Sequence, residues 1–113
     1  MYMDGAKVAI FTIREIPEFI KKFLKKNKLN SKKIKYIALH QASKYVCDKI
    51  KKKFNFNKNL FLENYNKYGN TVSSTIPLLL KDSIDKKKLK KDNIIIACGF
   101  GVGLSWGIVK IKW

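Results

Sequence analysis

Histidine occurs once in this chain, as His40, and it opens the run His40-Gln41-Ala42-Ser43. A carboxamide, Asn70, sits in Gly69-Asn70-Thr71, and a glycine-rich turn runs from Gly99 to Gly103. Imidazole, amide and backbone N–H groups are all donors, so three of them converging on one point would suit an oxygen that gains negative charge. Asn70 or Thr71 also reads as a helix N-cap, where backbone N–H groups and the positive dipole end gather. A lone histidine cannot supply half of a two-histidine metal site, and no metal is expected. The glycine turn lacks a P-loop lysine and the dinucleotide spacing. Taken singly, these residues equally fit a capped helix and a hydrogen-bonded structural histidine, so the elements that carry them decide whether they meet.

Those elements can be read from periodicity. Ala6–Ile13 is β-branched and aromatic and reads as a strand. From Arg14 to about Lys28 the apolar residues Ile16, Phe19, Ile20, Phe23 and Leu24 follow helical spacing, with Pro17 suited to the first turn. Asn30-Ser31 makes a turn, and Ile34–Leu39 is a second strand that delivers His40. A helix from about Ser43 to Phe54 turns Val46, Ile50 and Phe54 inward. Asn55–Asn59 reads as a loop and Leu60–Glu63 as a short strand. From Val72 to about Ile84 runs a third helix whose first turns carry no charge, which implies burial on every side, with Pro77 kinking it or tightening its start. After the solvated Lys86–Lys91, Asn93–Ala97 is a near-continuous apolar strand of the kind covered on both faces. The glycines from Gly99 break it, and Leu104–Trp113 returns as its hairpin partner. The order β-α-β-α-β-α-β-β gives an α/β fold, a mixed sheet with helices on both faces. In such sheets ligands gather at the carboxyl ends of parallel strands, where His40, Asn70 and the glycine turn would all lie.

Composition bounds the partners. The chain has 113 residues, enough for one domain, and 46% hydrophobic content excludes bulk disorder. A net charge of +17 rests on 24 lysines and one arginine, Arg14. Specific nucleic-acid readers favour arginine, whose planar fork engages bases and phosphates bidentately, so nucleic acid is not an expected partner. The basic field suits an acidic protein instead. Cys47 and Cys98 have no metal or disulfide-framework spacing and imply a reducing, cytoplasmic setting. Met1–Gly5 does not begin a leader, and no apolar run is long enough to span a bilayer.

Three runs together carry a family resemblance: HQAS from His40, YGNTVSSTIPLLL from Tyr68 and GFGVGLSWG from Gly99. In order and spacing they resemble the signatures of the carboxyl-terminal half of beta-ketoacyl-acyl carrier protein synthase III, a thiolase-like condensing enzyme. The resemblance extends from Asp4 to Trp113. It implies a thiolase-like half-domain over residues 1–113, without the amino-terminal half that bears the catalytic cysteine. It implies an acyltransferase of fatty acid biosynthesis, in which malonyl-acyl carrier protein condenses, with loss of carbon dioxide, with an acyl group delivered from acyl-CoA to that cysteine. His40 and Asn70 would be the histidine and asparagine of a Cys-His-Asn triad, and the Val102 backbone N–H would serve a second oxyanion. Gln41, Ala42, Ser43, Lys44, Tyr45 and Phe100 would contact the carrier protein or coenzyme A.

No cofactor is implied beyond those thioester substrates. The implied partners are acyl carrier protein, acyl-CoA and either a separate amino-terminal thiolase half or a homodimer mate. The family motif usually has asparagine where Ser43 stands, an arginine where Tyr45 stands and commonly glycine where Val102 stands. The uncharged helix from Val72 would leave an apolar patch without the other half. The alternative expectation is a non-catalytic remnant, an interaction module that binds acyl carrier protein or a full synthase.

Overall fold

Where the β-branched run pointed to a strand, the chain is helical. The computed structural model describes residues 4–113; the reading of Met1–Gly5 as no leader falls largely outside them. Helix α1 spans Gly5–Lys26 and is capped by Asp4, whose side chain accepts from the Lys7 N–H at 3.1 Å. The expected strand over Ala6–Ile13 is therefore its first half. Thr12, Ile16, Ile20 and Leu24 recur every fourth residue and are all buried, so one stripe runs through both segments. Burying such side chains outweighs the few tenths of a kcal/mol that each β-branched residue loses in a helix. Pro17 consequently lies inside the helix, fully buried, not in a first turn.

Strand β1 spans Tyr36–Leu39, helix α2 Lys44–Lys51 and strand β2 Ile94–Gly101. β1 and β2 pair in parallel from Tyr36↔Ile95 to Leu39↔Cys98, and strand β3, Ser105–Lys112, pairs antiparallel with β2. The sheet order is β1-β2-β3, a mixed sheet of the expected kind in three strands. The expected strand over Leu60–Glu63 shrinks to one bridge between Phe61 and Ile37. Leu60 is taken up by a 3₁₀ turn, Lys58–Leu60, and the Asn64 N–H turns away to the Gln41 side chain at 3.2 Å, so no ladder can extend. A short helix α3, Tyr65–Tyr68, follows, then a 3₁₀ turn Val72–Ser74 and helix α4, Thr75–Asp85. Gly99 and Gly101 do not interrupt β2, whose last residue is Gly101. They stay in the ladder opposite Gly107 and Ser105, and the turn falls on residues 102–104, where Gly103 takes φ +102°.

Side-chain alternation on β2 sorts the core into two layers. Ile96, Cys98 and Phe100 join Ile37 and Leu39 against α1 and α2, through Ile16, Ile20, Val46 and Ile50. Ile95 and Ala97 join Ala38 against Leu79 of α4. Helices thus cover both faces of an α/β sheet. Helix α4 is buried only along Thr75, Leu79 and Ser83, while Val72 just before it is 73% exposed. The expectation of burial on every side fails within this chain, because the three-stranded sheet covers one face of that segment only. Trp106 of β3 packs on Phe11 and Phe19 of α1, with ring centroids 5.2 and 6.0 Å apart.

Ile20, fully buried between α1 and the sheet, carries the α1 contact. Ile20→Ala is expected to cost about 2–5 kcal/mol in urea unfolding, whereas Val109→Thr, at an exposed position of β3, should change stability by less than about 0.5 kcal/mol.

Candidate active site

His40 leaves the end of β1 while still in register: its N–H donates to the Cys98 carbonyl at 2.9 Å. The ring is half-buried. One side meets Phe100 edge-on, with centroids 5.3 Å apart at 78°. On the other, Nδ1 lies 2.7 Å from Oγ1 of Thr75, the first residue of α4 and 2% exposed. Burial pushes the imidazole pKa below its ordinary value of 6.5, so the ring is neutral near pH 7.

Asn70 belongs to the same corner through a short run of hydrogen bonds. Thr75 Oγ1 lies 3.1 Å from the Val72 carbonyl, and the Val72 N–H donates to Asn70 Oδ1 at 2.9 Å. With Oδ1 occupied, the amide nitrogen of Asn70 is the polar atom left to the exterior, and Asn70 is exposed. Gly69 makes the approach possible with φ +66° and ψ −155°, a conformation open essentially to glycine. Val72 takes φ +55°, rare for a β-branched residue, and its N–H and carbonyl are both bonded within the turn. His40 and Asn70, thirty residues apart, are thus tied to one 3₁₀ turn.

The other expected residues lie at varied depths. Val102 is in the β2–β3 turn and 55% exposed. Phe100 is buried with its ring on His40. Gln41 is 1% exposed and spends its amide internally: Nε2 donates to the Leu39 carbonyl at 2.9 Å and Oε1 accepts from Asn64 N–H. It pins the loop after β1 and offers no surface to a partner. Ala42 is half-buried beside the core. Ser43 caps α2, its Oγ accepting from Val46 N–H at 3.2 Å. Lys44 pairs with Asp48 at 2.7 Å, and Tyr45 is 63% exposed with the Lys49 ammonium 5.5 Å from its ring centroid.

Both cysteines are buried. Burial raises the Cys47 thiol pKa, and that of Cys98 is pushed up to about 12, so neither is a poised nucleophile. Among the described residues, no three His, Cys, Asp or Glu side chains cluster to hold a metal ion. Among the described residues, no helix is long and apolar enough to cross a membrane. An open cleft of about 1040 Å³ lies by α2 and α3, lined by Lys44, Asp48, Lys51, Phe61 and Tyr65 among others. Neither His40 nor Asn70 lines it, and its lysines 44 and 51 are paired with Asp48. It is a solvated trough, not the site.

Thr75 escaped the sequence reading. Its signal was faint: one hydroxyl among three in Ser73-Ser74-Thr75, at the head of an uncharged segment.

With the corner defined, comparison with known proteins decides the family. A family model described as "3-Oxoacyl-[acyl-carrier-protein (ACP)] synthase III C terminal" matches residues 24–113. The chain belongs to this 3-oxoacyl-ACP synthase III C-terminal family. It is 42% identical over 111 residues to the beta-ketoacyl-acyl-carrier-protein synthase III of Prochlorococcus marinus (strain MIT 9515), covering 98% of this chain and 33% of the relative. The chain thus spans about a third of the length of the curated synthase III relatives it matches. Among solved structures, the synthase III of Thermus thermophilus superposes with TM-score 0.91 at 27% identity, over 99% of this chain and 35% of that one. A second 3-oxoacyl-(acyl-carrier-protein) synthase III gives TM-score 0.92 at 32% identity, over 99% and 33%. These neighbours make the fold thiolase-like, as the synthase III resemblance implied.

The lone histidine of this synthase III domain can be titrated directly. Its NMR midpoint should fall below 6.5, and Phe100→Ala, which opens the ring to water, should raise it. The unfolded chain binds this proton more tightly, so folding stability should decline as pH drops from about 6.5 through the folded midpoint. A midpoint at or above 6.5 would contradict the burial argument.

Proposed function

We propose that the chain supplies the decarboxylating half-site of a 3-oxoacyl-ACP synthase III. The observation that carries this reading is the matched anchoring of His40 and Asn70. Each has its inner polar atom, Nδ1 of His40 or Oδ1 of Asn70, bonded to the Val72–Thr75 turn, and each keeps a nitrogen, Nε2 or Nδ2, without a partner among the described residues.

A malonyl thioester on acyl carrier protein breaks its carbon–carboxylate bond, releases carbon dioxide and leaves the electron pair as an enolate. The negative charge gathers on the thioester oxygen. N–H donors from His40 and Asn70 aimed at that oxygen stabilise the charge as it forms. The enolate carbon then attacks an acyl-cysteine carbonyl, whose oxygen takes the charge and receives the Val102 N–H. Collapse expels the cysteine thiolate and leaves the 3-oxoacyl carrier protein.

That cysteine comes from a thiolase half outside these 113 residues, since Cys47 and Cys98 are buried thiols with raised pKa values. Phe100 shields the imidazole where the acyl-CoA and pantetheine arms would enter. Ala42, Ser43, Lys44 and Tyr45 form the rim for an acidic carrier protein, with Gln41 holding that rim in place. Fatty acid chain initiation in the cytoplasm is the corresponding setting, in keeping with two free cysteines.

The exposed Val72, Val102 and Leu104 favour a second reading, a non-catalytic module that docks on acyl carrier protein or a full synthase. One experiment separates the two. The chain is mixed with a cysteine-bearing amino-terminal synthase III half, and malonyl-acyl carrier protein decarboxylation is assayed. Activity should appear only in the mixture, and His40→Ala or Asn70→Ala should each lower it about 10²–10³-fold. Binding to the added half without activity, unaffected by His40→Ala, would overturn the catalytic reading in favour of the second.

A further inference from the structure

Thr75 Oγ1 is the hydrogen-bond partner of His40 Nδ1 among the described residues, and it approaches from 35 positions further along the chain. The hydroxyl has one proton and two acceptors within reach: Nδ1 at 2.7 Å and the Val72 carbonyl at 3.1 Å. That carbonyl already accepts the backbone N–H of Thr75. Nδ1 is the nearer acceptor, at a length usual for a hydroxyl donor, and has no other partner among the described residues.

We propose that Thr75 is a positioning residue: its hydroxyl donates to His40 Nδ1 and holds the ring in the tautomer whose proton sits on Nε2. The consequence for catalysis rests on the reading above. A neutral imidazole with its proton on Nδ1 would turn a lone pair toward the thioester oxygen and repel the enolate. With the proton on Nε2 it is a donor.

The Val72 carbonyl gives the hydroxyl a second resting place. Should the ring gain a proton on Nδ1, the hydroxyl can rotate toward Val72 and accept from Nδ1–H, with no heavy atom moved. Nδ1 therefore stays satisfied in both charge states. The same residue, Val72, holds Asn70 through its N–H, so one turn sets the orientation of both side chains.

The chain's single histidine makes the tautomer readable without assignment. Long-range ¹H–¹⁵N NMR of the ¹⁵N-labelled full chain, above the titration range of the ring, should show the proton on Nε2 alone. Thr75→Val, which keeps the shape and removes the hydroxyl, should give a mixture of both tautomers, and Thr75→Ser should restore the single form. A wild-type ring protonated on Nδ1, or a Thr75→Val spectrum identical to wild type, would overturn the proposal. Should Thr75→Val fail to fold, the wild-type tautomer and Thr75→Ser decide alone.

In the reconstituted enzyme, Thr75→Val should lower the decarboxylation kcat roughly tenfold or more with little change in KM, and Thr75→Ser should recover most of it. The expected tautomers with an unmoved kcat would leave the ring assignment standing and overturn the donor role of His40.

Discussion

From Ile95 to Cys98 strand β2 is closed to water on both faces, so each of its backbone donors and acceptors must be met by β1 on one side or β3 on the other. That requirement fixes the rest of the architecture. Parallel register with β1 brings the carboxyl ends of the two strands level, and His40 continues the ladder by one bond to Cys98. Antiparallel register with β3 holds the turn at residues 102–104 beyond the same edge. Alternation along β2 then assigns α1 and α2 to one layer and α4 to the other. Because α4 must pack on Ile95 and Ala97, its first residue arrives beside the histidine.

The corner so formed is economical with polar groups. Gln41 is almost fully buried yet uses both ends of its amide, and the Val72 backbone uses both its N–H and its carbonyl. Among the described residues, one nitrogen on His40 and one on Asn70 remain without an internal partner, and so do the buried Thr71 Oγ1 and Asn64 Nδ2. Holding Val72 at φ +55° costs on the order of 1–3 kcal/mol, offset by the hydrogen bonds on either side of it. Strain of this kind persists where the surroundings over-determine it. Here they do so on the segment that His40 and Asn70 are both bonded to.

Legibility in the sequence followed the strength of the local signal. Ile94–Ala97 could hardly be anything but a covered strand, and the Val46/Ile50 spacing of α2 left little choice. The first element misled because Ala6–Ile13 has strand-like residues, while the helical stripe through Thr12 is visible only when read together with Ile16, Ile20 and Leu24. Phe61 failed to extend a strand for a tertiary reason, the capture of the Asn64 N–H by Gln41 twenty-three residues earlier, which no local pattern encodes. The glycine run looked like a strand break, yet two of its glycines pair in the ladder. The family was more legible than the local fold, since the three motifs that carry the resemblance all lie within the matched residues 24–113. Thr75 was not legible, because a threonine that serves a histidine looks the same as one that starts a helix.

In the proposed half-site His40 and Asn70 act on one oxygen. A double-mutant cycle on the decarboxylation rate of the reconstituted enzyme tests this most directly, comparing His40→Ala, Asn70→Ala and the pair. Two donors serving the same developing charge should be strongly coupled, the double variant losing far less than the product of the single losses. Losses that simply multiply would mean two separate roles, and the shared oxyanion would have to be abandoned.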